Sequence, residues 1–210
     1  MRPVRSVLYI PASKERALEK ARELSADAII FDLEDAVSPE EKGRARALLS
    51  EELAAADFGA RLRLVRVNGL ETPWGAADLL SFANHPGVDG VLVPKVNGAE
   101  DLEAVARRVA KPLWAMLETA KGCLNAGAIA AHGRLVGMVM GTNDLGRELG
   151  ARVRADRMPL MAALGVSVLA ARAEGKLIVD GVFNAFRDEE GLRAECEQGR
   201  DMGFDGKTLV

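Results

Sequence analysis

The feature that most restricts the fold of this chain is a regular alternation of short apolar β-type runs with longer helical segments, the pattern of parallel βα units. Eight such runs occur, at residues 4–10, 28–31, 62–67, 90–93, 113–117, 136–140, 177–180 and, more weakly, 204–209. Over 210 residues this leaves about 26 residues per unit, enough for a strand, a helix and two tight loops and close to the lower limit for a (β/α)8 barrel. The spacing predicts a single compact (β/α)8 TIM barrel over residues 1–210. An open doubly wound sheet is the structural alternative, because eight strands in this length keep several helices short. Helical segments are predicted at 14–24, 39–53, 99–110, 160–174 and 189–202, and Ser38-Pro39-Glu40-Glu41 reads as helix punctuation: a hydroxyl cap, a proline at the first position and carboxylates in the first turn.

Composition excludes several other classes. Half the residues are apolar (49%), enough for a full core, and 28 Lys and Arg stand against 31 Asp and Glu for a formal charge of −3, with no block of one sign. Nonspecific nucleic-acid binding is not expected. The longest apolar runs fall far short of a membrane span and no signal peptide precedes the first strand, so the expectation is a cytoplasmic protein with no membrane partner. The two cysteines, Cys123 and Cys196, have no histidine partners at ligand spacing and read as small buried residues rather than a disulfide or zinc site.

In a βα barrel, chemistry gathers at the C-terminal ends of the strands, where the following loops line one open mouth. Five successive strands end in charged residues: Asp32-Leu33-Glu34-Asp35, Arg66-Val67-Asn68, Pro94-Lys95, Glu118-Thr119 and Gly141-Thr142-Asn143-Asp144. Such a convergence costs desolvation that a metal ion or an ionic substrate offsets. Glu118 and Asp144, one βα unit apart, suit magnesium, which prefers oxygen ligands and keeps several waters; either alone would read as a helix cap. Zinc is disfavoured without His or Cys. Arg66 either grips a substrate carboxylate with its planar fork or braces the barrel against the acidic cluster. Lys95 is expected to find an ion-pair partner rather than form a Schiff base. In an extended segment residues 32 and 34 share a face and 35 turns away, so only part of that cluster can face the mouth. His85 and His132 read as loop residues, leaving acid–base work to carboxylates, a lysine or water.

These segments carry a resemblance. Arg5-Ser6-Val7-Leu8-Tyr9-Ile10-Pro11-Ala12, the DLEDAV run at 32–37, Arg66-Val67-Asn68, Val93-Pro94-Lys95, Leu117-Glu118-Thr119, Gly141-Thr142-Asn143-Asp144-Leu145, the DGVFNAFRDEEGL run at 180–192 and the GFDGKTL run at 203–209 stand in the order found in citrate lyase β-subunits. The chain resembles the HpcH/HpaI aldolase/citrate lyase superfamily nearly end to end. The resemblance implies a (β/α)8 barrel in a homotrimer or trimer-based assembly, magnesium held by Glu118 and Asp144, and Arg66 binding a substrate's carboxylate and carbonyl oxygen. Pyruvate-dependent aldolases of the superfamily carry a histidine where this chain has Asp35, which favours the branch acting on citryl-CoA, malyl-CoA or citramalyl-CoA. Relatives continue past this point into a C-terminal lid that brings an acid or base to the neighbouring subunit. A chain ending at Val210 is expected to lack that lid, to bind magnesium with a 2-keto acid and to turn over slowly.

The leading expectation is therefore a magnesium-dependent carbon–carbon lyase cleaving a carboxylated 3-hydroxyacyl-CoA through an enolate. Arg66 would stabilise the oxygen that becomes a carbonyl, and Glu34 or Asp35 would be the proton acceptor. Lys14, with Ser13 and Arg16, could meet CoA phosphates, although a solvated helix start explains them as well. Two alternatives stand beside it: a malyl-CoA-type thioesterase on the same metal site, and a catalytically weak binding or assembly subunit.

Overall fold

In the computed structural model, which describes residues 4–210, eight parallel strands close into a barrel in chain order. They are β1 (Ser6–Pro11), β2 (Ala28–Asp32), β3 (Leu62–Arg66), β4 (Gly90–Val93), β5 (Leu113–Leu117), β6 (Leu135–Met140), β7 (Leu177–Asp180) and β8 (Gly206–Leu209). Closure is made by β8 on β1, with Ser6 opposite Lys207 and Leu8 opposite Leu209. The architecture is the predicted (β/α)8 barrel, and the open sheet is excluded.

Strands β2, β4 and β5 are buried along their whole length on both faces, which is why they read as nearly continuous apolar runs, whereas β8 carries Lys207 and Thr208. Inside the barrel Val7, Ile30, Leu64, Leu92, Val139 and Val179 pack together around Trp114. Outside, Ile29, Phe31, Val65, Val91, Ala115 and Ile178 form a second layer under the helices. A bulky indole fits the barrel only because of a local irregularity. The β5–β6 register shifts after Leu113 so that Trp114 faces Gly137, where a Cβ would stand 2.4 Å from the Trp114 ring.

The helices are α1 (Glu15–Ala21), α2 (Lys42–Ala55), α3 (Gly75–Phe82), α4 (Ala99–Ala106), α5 (Ala120–Leu124), α6 (Ala126–Ala130), α7 (Thr142–Glu148), α8 (Met161–Ala173) and α9 (Glu189–Met202). Helix α9 matches its predicted bounds because its ends are marked chemically. The Asp188 carboxylate accepts the Gly191 N–H at 2.9 Å, Glu189 and Glu190 lie in the first turn, and Gly203 closes the helix at φ 100°, a conformation open to glycine. The predicted start at Ser38 is different. Pro39–Glu41 forms a single 3-10 turn before α2, and the Ser38 side chain caps no backbone N–H. The cysteine expectation divides, with Cys123 buried and Cys196 exposed, because α9 is a charged outer helix whose one buried residue is Gly199. Among the described residues no helix is long and apolar enough to cross a membrane.

Candidate active site

Strand β2 ends at Asp32, whose partner in the neighbouring strand is Arg66, the last residue of β3. Their side chains meet as a fork on a carboxylate: Arg66 Nε donates to Asp32 Oδ1 at 2.7 Å and Nη2 to Oδ2. Asp32 also accepts the backbone N–H groups of Glu34 at 2.9 Å and Ala36 at 3.1 Å. These bonds end the extended conformation at residue 32. The expected alternation over residues 32–35 is thereby corrected, since Asp32 and Asp35 line the mouth whereas Glu34 does not.

Glu34 lies behind Arg66. One of its oxygens is 3.1 Å from Arg66 Nη1, and the other accepts from Lys95 Nζ, the ion-pair partner expected for that lysine. Lys95 has left-handed backbone, φ 50°, a strain of about 1 kcal/mol for a residue with a Cβ. That conformation presents its N–H to Glu118 Oε1 at 2.7 Å. The loop after β2 is held from below by residues that sequence reasoning passed over. Lys42 Nζ donates to the carbonyls of Leu33 and Glu34 at 2.8 and 2.6 Å, and Asn68 Nδ2 bridges the Leu33 carbonyl and Asp78. Asn68 was visible in the Arg-Val-Asn segment. Lys42 and Asp78 sit within helices, where nothing local marks them. Tyr9 was likewise missed: its ring lies 5.3 Å from the Arg66 guanidinium carbon and its buried hydroxyl has no hydrogen-bond partner.

Burial sets the charge states. Glu118, 2% exposed, is pushed up to about 7 by desolvation, against the pull of Lys95 and Arg66. Desolvation likewise raises Glu34. At Asp35 burial is outweighed by the hydrogen bond with Glu34 and the charges of Lys95 and Arg66, so it stays below the usual carboxylate range. Burial also opposes the Arg66 charge, but Asp32 more than offsets it. Arg66 thus stays a cation and Asp35 an ionised carboxylate, while desolvation works against the charge of Glu118 and Glu34.

The mouth is a cavity of about 650 Å³ bordered by Asp32, Asp35, Arg66, Glu118 and Asp144. Asp144 stands in the first turn of α7 and pairs with Arg147 at 2.6 Å. Lys14 is exposed at the start of α1, and neither it nor Lys95 borders this cavity. His85 and His132 are also away from the mouth: His85 Nε2 contacts the Ser50 carbonyl and His132 faces Glu103. The donor set fits a hard cation. Glu118 Oε2 takes no hydrogen bond from the described residues, and Gly141 leaves open the space beside it, where a Cβ would come within 2.7 Å. Among the described residues no group of three His, Cys, Asp or Glu side chains is arranged to hold a metal ion, so a cation on Glu118 and Asp144 would complete its shell with water and ligand oxygens, as magnesium does.

The HpcH/HpaI aldolase/citrate lyase family matches residues 5–210. The chain belongs to this family. It is 68% identical over 209 residues to (3S)-malyl-CoA thioesterase of Cereibacter sphaeroides strain KD131, covering 99% of this chain and 73% of that protein. Citrate lyase subunit beta of Leuconostoc mesenteroides subsp. cremoris is 34% identical, over 98% of this chain and 72% of its own. CitE from Mycobacterium tuberculosis, crystallised with magnesium, acetoacetate and coenzyme A, superposes with a TM-score of 0.86 at 32% identity, over 99% of this chain and 76% of that one. These findings correct the expectation of a carbon–carbon lyase, because the thioesterase is twice as similar as the lyase subunit. The physical reason the sequence misled is that a cation and an arginine polarise substrate oxygens whether a C–C or a C–S bond is to break. The chain is an enzyme of this family in an acyl-CoA context.

Proposed function

We propose that the protein is a malyl-CoA-type thioesterase, hydrolysing the thioester of a short hydroxylated, carboxylate-bearing acyl group on coenzyme A. The observation that carries this reading is the 68% identity to a malyl-CoA thioesterase across 99% of the chain. Water adds to the thioester carbon, the C–S bond breaks, and the products are the intact hydroxy acid and the free thiol.

Magnesium held by Glu118 and Asp144 would supply Lewis-acid stabilisation of negative charge on the substrate's oxygens. Arg66, held by Asp32 on one edge and by Glu34 at Nη1, would offer the N–H groups these leave free to the acyl carboxylate. Asp35 borders the mouth and stays ionised, so it would accept the proton that water loses. Glu34 would keep Arg66 and Lys95 in place from behind. Lys14 would act outside the mouth, on the phosphates of the carrier. The assembly that accompanies this reading is a cytoplasmic homotrimer without nucleic-acid or membrane partners, and sedimentation velocity would read it as three times the 22.4 kDa chain mass.

Product analysis is the test. Malyl-CoA incubated with the protein and magnesium should give free thiol and malate in equal amounts. Glyoxylate and acetyl-CoA without thiol would overturn the assignment, as would the absence of any turnover in a folded, magnesium-loaded protein.

A further inference from the structure

A second cavity of about 550 Å³ lies beside the mouth, between the loops after β6 and β7. The two cavities share Thr142, Asn143, Arg147 and Val182 on their borders. The lining of the second is strongly basic: Arg147, Arg152, Arg154 and Arg157 against the single carboxylate of Glu195. Two of these cations are already matched, Arg147 by Asp144 and Arg154 by Asp156, each at 2.6 Å. Arg152 is exposed and has no carboxylate partner among the described residues.

Arg157 is the unusual member. It is 6% exposed and has left-handed backbone, φ 52°, a strained state that persists only where surrounding contacts impose it. Nη1 donates to both oxygens of Asp180 at 2.8 and 2.7 Å, and Nε donates to Gln198 at 2.7 Å. Lys207 completes the group, reaching Asp180 at 3.0 Å and Glu195 at 2.7 Å. Two cations face two carboxylates, so the buried charges balance. Arg157 Nη2 nevertheless has no acceptor, although a buried guanidinium N–H is costly to leave unpaired. Phe183 and Leu160 supply an apolar wall.

We infer that this cavity is an anion site for a phosphate-bearing small molecule, gripped by Arg152 at the rim and by the unused donors of Arg157 at depth. Guanidinium pairs suit phosphate oxygens, and the apolar wall would take the organic part of the ligand. Two sources carry this chemistry: a free phosphorylated compound, or an acyl-CoA whose acyl group occupies the neighbouring mouth and whose phosphate end lies here instead of toward Lys14. Binding needs no turnover, so the inference stands or falls separately from the thioesterase reading.

The test is calorimetric titration of the whole chain with inorganic phosphate. Saturable one-to-one binding is expected, weakened about tenfold or more by Arg152→Glu and unchanged by Lys20→Glu, an equal charge change at an exposed position of α1. Arg152 is exposed, so its variant tests the site without disturbing the buried cluster, and circular dichroism would check its fold. Binding that does not saturate, that falls equally in both variants, or that is lost in Arg66→Ala and kept in Arg152→Glu would overturn the inference. Competition then separates the sources. Displacement of phosphate by coenzyme A but not by pantetheine supports the carrier's phosphate end, and no displacement by either supports a free ligand.

Discussion

Arg66 is held by Asp32 on one edge, touches Glu34 through Nη1 at 3.1 Å, and borders the mouth. Lysine keeps the charge but cannot hold both Asp32 oxygens and still present donors to a substrate. Arg66→Lys should reduce thioester hydrolysis by about 10²-fold or more, the scale of a misplaced catalytic group, mainly in kcat. Kinetics close to the parent enzyme would make Arg66 a brace and nothing else. Glu118 and Asp144 make a second prediction at this scale. Glu118→Gln and Asp144→Asn should each abolish magnesium binding measured by calorimetry, because with two protein ligands neither is dispensable. Unchanged binding in both variants would remove the metal assignment.

At the scale of the element, the strands were the most legible part of the chain. Strands β4, β5 and β7 have their predicted bounds because a strand buried on both faces is a closed apolar run, here stopped at each end by a charged residue or a proline: Asp89 and Pro94, Pro112 and Glu118, Lys176 and Asp180. The short helices α5, α6 and α7 were not singled out, since five to seven residues are too few to display a helical period. The turn after β2 was also hidden, because it is created by Asp32 accepting two N–H groups and not by a glycine or proline. The Trp114–Gly137 contact is testable here. Gly137→Ala would drive a Cβ into the indole ring, and overpacking of this kind should destabilise the fold by about 1–3 kcal/mol. Urea denaturation would measure it, and an unchanged midpoint would show that the barrel interior can give way at that point.

For the whole molecule, the buried Glu118 links stability to pH. Its carboxyl is raised in the folded state to about 7 from 4.5, so the folded protein holds this proton more tightly than the unfolded chain does. The metal-free protein should therefore keep this contribution below about pH 4.5 and lose it progressively as pH rises to about 7. Saturating magnesium should flatten the fall, since a cation offsets the buried charge. Denaturation midpoints at several pH values, with and without magnesium, would show it. A Glu118→Gln variant with the same pH slope as the parent would assign the effect to other groups.

The sequence alone pointed to the barrel over an open sheet, to the family and to the set of strand-end residues, because these follow from local apolar runs and from motifs read along the chain, while closure and strand order came from the structure. The tertiary structure decided how those residues are used. Asp32 is spent on Arg66 and on its own loop, Glu34 is drawn behind Arg66, Lys14 stays outside the mouth, and Arg157, Asp180, Glu195 and Lys207 meet beneath a second cavity. None of this could be read in one dimension. Charged side chains choose partners by distance and desolvation, and those depend on which strands and loops closure of the barrel brings together.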